Sequence, residues 1–404
     1  MTGADFLPHW PPAANGFVVF GLLLLAGLLG GRLAATTRVL PAITGYIATG
    51  FLLGPGGLGW LDASVLAQSR VIAEFSLGLI VFDLGRRLDL KWASHDRWLL
   101  PTGIAESLLS FAAMFALMHL VGGIDTLEAA VASMIGIATA PAVVLLVTNE
   151  LKADGPVTRR MLWLVALNNI IATLGITLLL PFIEARSSGA SWNPIARALW
   201  IVAGSFLLGY VAFRVFTLLA RLIGKSPAPQ FILTVGMIVV TVGAAQVGRL
   251  SVLLALLVLG ACARNLDREH RLVDVDFGRA AQLFFVVLFV LTGATLHPHQ
   301  FGGIAWIGLA FVLARGLGKA LALFAFAWPA HISARQAASL GIALTPMTGL
   351  ALGMAQPIYD IAPDFGARLS AIVVSGIAIL YLLGPIATRF ALIRAGEGEP
   401  AARD

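Results

Sequence analysis

The sequence contains few charged residues and almost no cysteine. Charged side chains make up only 12% of the 404 residues, whereas an ordinary soluble domain carries about 25%. This density is too low to cover the surface of a water-soluble protein, which excludes soluble enzymes, DNA-binding proteins and secreted disulfide scaffolds. The single cysteine, Cys262, excludes an intrachain disulfide and a cysteine metal cluster, so we expect no metal or other cofactor.

Apolar residues dominate the chain instead, at 59% of the total. Polar residues divide it into apolar stretches, and a continuous apolar run satisfies its own backbone inside lipid by forming a helix. The sequence therefore predicts an all-α polytopic membrane protein of about 13 transmembrane helices. The predicted stretches are 15–35, 39–55, 70–84, 98–121, 127–149, 159–182, 195–222, 229–247, 250–264, 280–296, 302–327, 335–356 and 367–392.

The basic residues predict how the chain is oriented. When the loops are assigned alternately to the two sides of the membrane, 20 of the 27 Lys and Arg residues fall on one side, five fall on the other and two lie within a span. The positive-inside rule then places the tail 1–14 outside the cell membrane and the tail 393–404 in the cytoplasm. The net charge of +6 is explained by this orientation, so we expect no nucleic-acid partner.

Two related hexamers indicate an internal repeat. GIATAP occupies residues 136–141 in the fifth stretch, and GIALTP occupies residues 341–346 in the twelfth. Six helices on each side of one linking helix give the two copies opposite orientations, as in many transporters. We predict a transmembrane domain at 15–392, made of three parts in the following order: repeat one at 15–182, the linker helix at 195–222 and repeat two at 229–392.

The prolines of these hexamers predict interrupted helices. Proline lacks an N–H group and clashes with the carbonyl four residues earlier, so Pro141 frees the carbonyl of Ile137 and Pro346 frees that of Ile342. Free carbonyls and nearby threonine hydroxyls can bind a cation, although a simple kink satisfied by neighbouring helices is the alternative. The predicted site at the two interruptions contains Ile137, Ala138, Thr139, Pro141, Ile342, Thr345 and Pro346.

Together with these hexamers, four further segments resemble the cation/proton antiporter superfamily, in particular its branch of bacterial Kef-type and NapA-type exchangers. The resemblance implies two crossed discontinuous helices, a separate dimerisation domain, a homodimer and elevator-like alternating access. It also implies that the partners are a small monovalent cation, the proton and the lipid bilayer. The segments are LPAITGYIATGFLLGPGGLG at 40–59, AEFSLGLIVFDLGRRLDL at 73–90, LFFVVLFVLTGATL at 283–296 and LARGLGKALAL at 313–323.

One departure from this family concerns the sixth stretch, where its members usually carry an acidic pair. Here Asn168 and Asn169 take those positions. Asparagine does not titrate, so the pair cannot carry the exchanged proton, but its amide groups can bind a cation. Because consecutive helix residues point about 100° apart, we expect one of the two to face the helix crossing.

Three charged residues lie deep in the predicted stretches. Arg315 matches the family's basic position, and Lys319 lies one helical turn away, where we expect it to extend towards the cytoplasmic surface. Glu106 lies in the fourth stretch with no basic residue on its own helical turn. It is protonated, paired with Arg315, or the displaced proton carrier. The fourth span of this fold tends to lie in the scaffold, so the resemblance disfavours the last of these roles.

The residues and the resemblance together predict a transporter. The first hypothesis is Na⁺/proton or K⁺/proton antiport at the crossing of the interrupted helices. The second keeps the fold and replaces antiport by uncoupled transport or passive passage of an anion or a neutral solute, because the acidic pair is missing. A third is a sensor or assembly protein without transport. Motifs of intramembrane proteases are lacking, so we expect no enzymatic activity.

Overall fold

A computed structural model describes residues 16–37, 40–61, 70–188, 194–267, 272, 278–294, 305–347, 351, 354, 358 and 363–398. Across these residues the regular structure is helical, which confirms the predicted all-α class. The helices are α1 (Gly16–Thr36), α2 (Ala42–Leu53), α3 (Arg70–Arg87), α4 (Leu90–His95), α5 (Leu99–Ala116), α6 (Thr126–Ile137), α7 (Pro141–Glu150), α8 (Pro156–Ser188), α9 (Pro194–Ile223), α10 (Pro227–Val247), α11 (Val252–Asn265), α12 (Gly278–Ala294), α13 (Ala305–Ala325), α14 (Ala334–Ala343) and α15 (Pro363–Ala395).

Each predicted apolar stretch overlaps at least one of these helices. Eight helical segments within the described chain are long and apolar enough to cross a membrane, and three further apolar helices are shorter. The number of helices that cross, the inverted repeat and the boundaries of its two halves therefore stay predictions. The predicted tail 1–14 lies outside the described residues, and α15 extends three residues beyond the predicted end of the last stretch, to Ala395.

The first hexamer interrupts a helix as its proline predicts. Helix α6 ends at Ile137, residues 138–140 are not helical, and α7 begins at Pro141. Proline suits the first position of a helix because the N–H group that it lacks has no helical partner there. Peptide groups at this interruption therefore have no hydrogen-bond partner within the helix, although they lie in the middle of a buried segment.

The second hexamer interrupts another helix, and the two interruptions meet. Helix α14 ends at Ala343 and residues 344–347 are not helical, while residues 348–350 lie outside the described part of the chain. The N–H of Ala140 donates a hydrogen bond to the carbonyl oxygen of Pro346 at 3.0 Å. This bond joins the two interruptions directly, as the resemblance implied.

Three helices pack around this crossing and carry its charged and amide side chains. Helix α5 packs closely along α13, and the hydroxyl of Ser110 on α5 donates to the backbone oxygen of Arg315 on α13 at 3.2 Å. Helix α8 contacts α5, α6 and α7. The crossing thus packs against α5, α8 and α13, and α15 also contacts α6, α7 and α14.

Candidate ion-binding site

Thr139 lies at the centre of the first interruption and is 1% exposed. Its hydroxyl oxygen is within hydrogen-bond distance of three donors, each from a different side chain. These are Nδ2 of Asn168 at 3.1 Å, Nη2 of Arg315 at 3.2 Å and Nζ of Lys319 at 3.4 Å. One hydroxyl oxygen has two lone pairs, so these three donors compete for it. The arrangement favours replacement of one hydrogen-bond donor by another at this oxygen.

The guanidinium group of Arg315 binds carbonyl groups of both interruptions. Its Nε donates to the oxygen of Gly136 at 2.6 Å, its Nη2 to that of Ala138 at 3.0 Å and its Nη1 to that of Thr345 at 2.8 Å. A guanidinium suits this role because it holds five donors in a fixed plane. Arg315, which is 1% exposed, therefore ties the two interruptions together and brings a fixed positive charge to the crossing.

Of the two carbonyls that the prolines predicted to be free, that of Ile342 has a partner. Thr345 donates its own hydroxyl to the oxygen of Ile342 at 2.8 Å, so that carbonyl is occupied locally. The carbonyls bound by Arg315 belong instead to residues just before and within the interruptions. The chain leaves the helix axis at the interruptions, and this changes the direction of each carbonyl group. The position of the proline alone does not predict that direction.

Glu106 and Lys319 form a fully buried ion pair in which Nζ of Lys319 donates to Oε1 of Glu106. Neither side chain is exposed. The expectation that Lys319 extends to the cytoplasmic surface was therefore wrong, because an acidic partner on α5 holds it inside the bundle. One of the three alternatives for Glu106, pairing with Arg315, was also wrong: Arg315 binds carbonyls and Lys319 binds the carboxylate.

Both asparagines reach Thr139, although the helical spacing predicted only one at the crossing. Asn168 donates to the hydroxyl of Thr139 and, at 3.3 Å, to Oε1 of Glu106. Asn169 donates to the backbone oxygen of Thr139 at 2.7 Å. Two neighbouring helix residues can share one target because Thr139 presents a side-chain oxygen and a carbonyl oxygen in different directions.

The sequence reasoning missed Ser107 and the partner of Glu106. The Ser107 hydroxyl donates to Oδ1 of Asn168 at 3.0 Å, and neither Ser107 nor Glu106 is exposed. A fully buried carboxylate needs a partner, and the absence of one on its own helix was the signal that a residue elsewhere in the chain supplies it. Among the described side chains of the crossing, two cations face one carboxylate.

Comparison with known proteins assigns the fold and the family. The sequence matches the transmembrane family of sodium/hydrogen exchangers over residues 20–393. The chain belongs to the sodium/hydrogen exchanger family. This result confirms the resemblance to the monovalent cation/proton antiporter superfamily and makes the protein a member of a family of membrane transporters, not of enzymes. The comparison with curated proteins gave no match.

Solved structures agree with this family assignment at the level of the fold. The chain is similar to two structures of the sodium proton antiporter MjNhaP1 from Methanocaldococcus jannaschii, one of them at pH 8. In each case the TM-score is 0.69 and the sequence identity 16%, and the match covers 94% of this chain. It covers 95% of one MjNhaP1 chain and 96% of the other. The exchanger fold therefore extends over nearly the whole protein.

Proposed function

We propose that this protein is a secondary active transporter that exchanges a monovalent cation, Na⁺ or K⁺, for protons by alternating access. The observation that carries the proposal is the Glu106 carboxylate at the helix crossing. One of its oxygens is paired with Lys319, while the other, Oε2, is buried and accepts no hydrogen bond within the described chain. An ionised carboxylate with a free oxygen is a ligand for a cation, and competition between that cation and the protonated side chain paired with the carboxylate is the basis of antiport.

The ammonium group of Lys319 occupies the place that a transported cation would take. It lies against Oε1 of Glu106 and 3.4 Å from the hydroxyl of Thr139, and such oxygen ligands suit an alkali cation. If the cation binds there as Lys319 gives up one proton, the net charge of the buried site does not change. Because an additional buried charge is costly, this geometry favours exchange of one cation for one proton.

Two large cavities lie along opposite halves of α3. A cavity of about 490 Å³ is lined by Glu74, Arg197 and Arg249, on the side that the basic residues predict to be outside. A cavity of about 1010 Å³ is lined by Arg86 and Arg264 among other charged residues, on the predicted cytoplasmic side. These cavities offer an aqueous approach from each face, as alternating access requires.

A small apolar cavity lies beside the site. A cavity of only about 20 Å³ is lined by Pro141 and Asn169 together with leucine, isoleucine and valine side chains. It shares Thr173 and Leu253 with the larger cavity on the predicted outer side. In this conformation the apolar side chains restrict passage, so movement of the helices that carry the site is needed to open it.

A second function is favoured by the charges at the crossing. Arg315 and Lys319 face the single carboxylate of Glu106, and both asparagine amides direct their N–H groups inwards. Donors and positive charge suit an anion or a polar neutral solute. The second candidate is therefore uncoupled transport or passive passage of such a solute on the same fold.

Membrane orientation and assembly complete the proposal. We place the N-terminus outside and the C-terminus in the cytoplasm of the cell membrane, because of the bias of basic residues. We also expect a homodimer with a separate dimerisation domain, because of the family resemblance. Blue native electrophoresis combined with accessibility labelling of cysteines introduced in the tails 1–14 and 393–404 tests both expectations.

Flux measurements in proteoliposomes separate the two functions. Purified protein is reconstituted with a pH-sensitive dye inside the vesicles, and Na⁺ or K⁺ is added outside. Antiport predicts a pH change that requires the cation and is lost in Glu106→Gln. Asp154→Asn is the matched control, since Asp154 is a carboxylate on an exposed surface, paired with Arg159 at 3.2 Å, and surface pairs contribute little.

The outcomes of this assay are distinct. Absence of a cation-dependent pH change in the wild type, or full exchange in Glu106→Gln, would contradict the antiport proposal. Cation-independent anion or solute flux in the wild type would support the second function.

A further inference from the structure

Two consecutive residues of α5 hold the two ends of one asparagine amide. Asn168 donates through Nδ2 to Oε1 of Glu106 at 3.3 Å, and its Oδ1 accepts from the hydroxyl of Ser107 at 3.0 Å. Asn168, Glu106 and Ser107 are all fully buried. The amide nitrogen therefore faces the site and the amide oxygen faces away from it, towards Ser107.

The neighbouring amide of Asn169 is held differently. Its Nδ2 donates to the backbone oxygens of Thr139 and Val165, each at 2.7 Å. Carbonyl oxygens only accept hydrogen bonds, so rotating this amide would break both bonds and bring oxygen against oxygen. Two groups that only accept hydrogen bonds fix the orientation of the Asn169 amide. The orientation of the Asn168 amide depends on groups that can either donate or accept a hydrogen bond.

The hydroxyl of Ser107 is such a group, because it can donate one hydrogen bond or accept others. With the site empty, the ionised Glu106 requires a donor, and Asn168 supplies its nitrogen. A bound cation requires an oxygen ligand, so Asn168 can contribute only after its amide has rotated by about 180°. Ser107 can then accept from the amide nitrogen that now points towards it.

We propose that Ser107 is a positioning residue that lets the Asn168 amide present nitrogen to the empty site and oxygen to a bound cation. The inference rests on the proposed cation site. In this proposal Asn168 and Asn169 have different roles. Asn169 holds the interruption at Thr139 in place, and Asn168 changes the orientation of its amide according to whether a cation is bound.

Removal of the Ser107 hydroxyl affects the two states unequally. In the empty site, Ser107→Ala leaves the oxygen of Asn168 without a donor, but both amide hydrogens keep their bonds to Glu106 and Thr139. In the cation-bound site it leaves the amide nitrogen without its acceptor, and an unpaired buried N–H group is tolerated less well than an unpaired carbonyl oxygen. The variant should therefore weaken cation binding and leave the conformational step of transport unchanged.

The test compares three variants of α5 by the kinetics of cation-dependent proton exchange. We expect Ser107→Ala to raise the KM for the cation about fivefold, the size expected for one unsatisfied buried hydrogen-bonding group, with kcat changed less than about twofold. Ser107→Thr, which keeps a hydroxyl, should restore the KM. Ser110→Ala is the matched control, since this equally buried serine donates to the backbone oxygen of Arg315 and should not alter the KM.

Cation binding measured without transport separates this inference from the proposed function. The cation-dependent increase in Tm reports the Kd of each variant. If the wild type exchanges protons and the KM of Ser107→Ala equals that of the wild type or of Ser110→Ala, the inference is wrong and the function stands. If the wild type binds the cation without exchanging protons, the function is wrong and the Kd of Ser107→Ala decides the inference. A wild type that neither binds nor exchanges overturns both.

Discussion

Glu106 and Lys319 are separated by 213 positions in the sequence and form an ion pair from which solvent is fully excluded. Such a pair is a strong constraint on the packing of α5 against α13, because removing one partner leaves an uncompensated charge in the core. The same pair stands at the crossing of the two interrupted helices. The contribution of this pair to the stability of the fold and its role in ion exchange can be tested separately.

The first prediction concerns this ion pair. Lys319→Gln should lower the free energy of unfolding by about 3–5 kcal/mol, because the buried carboxylate of Glu106 loses the cation that is hydrogen-bonded to it. The double variant Glu106→Gln/Lys319→Gln should recover most of this loss, since neither member of the ion pair is then left without the other. Thermal unfolding in detergent measures both. Arg159→Gln, at an exposed pair, serves as the control and should change little. A double variant no more stable than Lys319→Gln would show that the charges are not coupled.

The second prediction concerns Gly318, at the close approach of α5 and α13. A Cβ atom at this position would lie 2.5 Å from the backbone oxygen of Leu109 and 2.5 Å from Cα of Ser110. Gly318→Ala should therefore separate the helices and destabilise the protein by about 1–3 kcal/mol. Gly316→Ala is the control, because nothing lies within 4 Å of a Cβ atom there. Equal Tm values for the two variants would contradict the predicted steric contact.

The third prediction concerns Arg315. Lysine keeps the charge but concentrates its donors at one point, so Arg315→Lys cannot bind the carbonyls of both interruptions at once. Loss of these buried bonds should reduce cation-dependent exchange at least about tenfold. Arg214→Lys is the control, since Arg214 makes an exposed hydrogen bond to the hydroxyl of Tyr210. Exchange by Arg315→Lys at the wild-type rate would mean that charge alone suffices at this position.

The fourth prediction concerns Glu397, which follows α15 and caps the helix that carries the asparagine pair. Its carboxylate accepts from the N–H groups of Val157 at 2.8 Å and Thr158 at 2.7 Å, near the start of α8. Glu397→Ala should lower the free energy of unfolding by about 1–2 kcal/mol, the usual range for a lost helix cap. A chain shortened to end at residue 398 keeps the cap and should unfold at the wild-type Tm. Unfolding of Glu397→Ala at that same Tm would refute the capping role.

The sequence predicted those features of the site that depend on local backbone chemistry. Proline at 141 and at 346 marked both interruptions, because a missing N–H group acts within one helical turn. The family resemblance drew attention to the asparagine pair, of which one member was expected at the crossing, and to Arg315. The partners of these residues were not predicted, since Arg315 binds carbonyls of Gly136, Ala138 and Thr345 whose directions depend on how the interruptions fold.

By itself, the sequence determined that the chain is a helical membrane protein of the exchanger family with two proline-interrupted segments. Composition and proline positions suffice for the helical membrane class and the two interruptions, because they act on the solvation and hydrogen bonding of individual segments. The family follows from the similarity of the sequence to known exchangers. Only the tertiary structure decided that Lys319 turns inwards to Glu106, that Ser107 donates a hydrogen bond to Asn168 and that both asparagines meet at Thr139. These contacts depend on the rotation and spacing of α5, α8 and α13 against one another, which side-chain packing sets and which the periodicity of a single helix does not define.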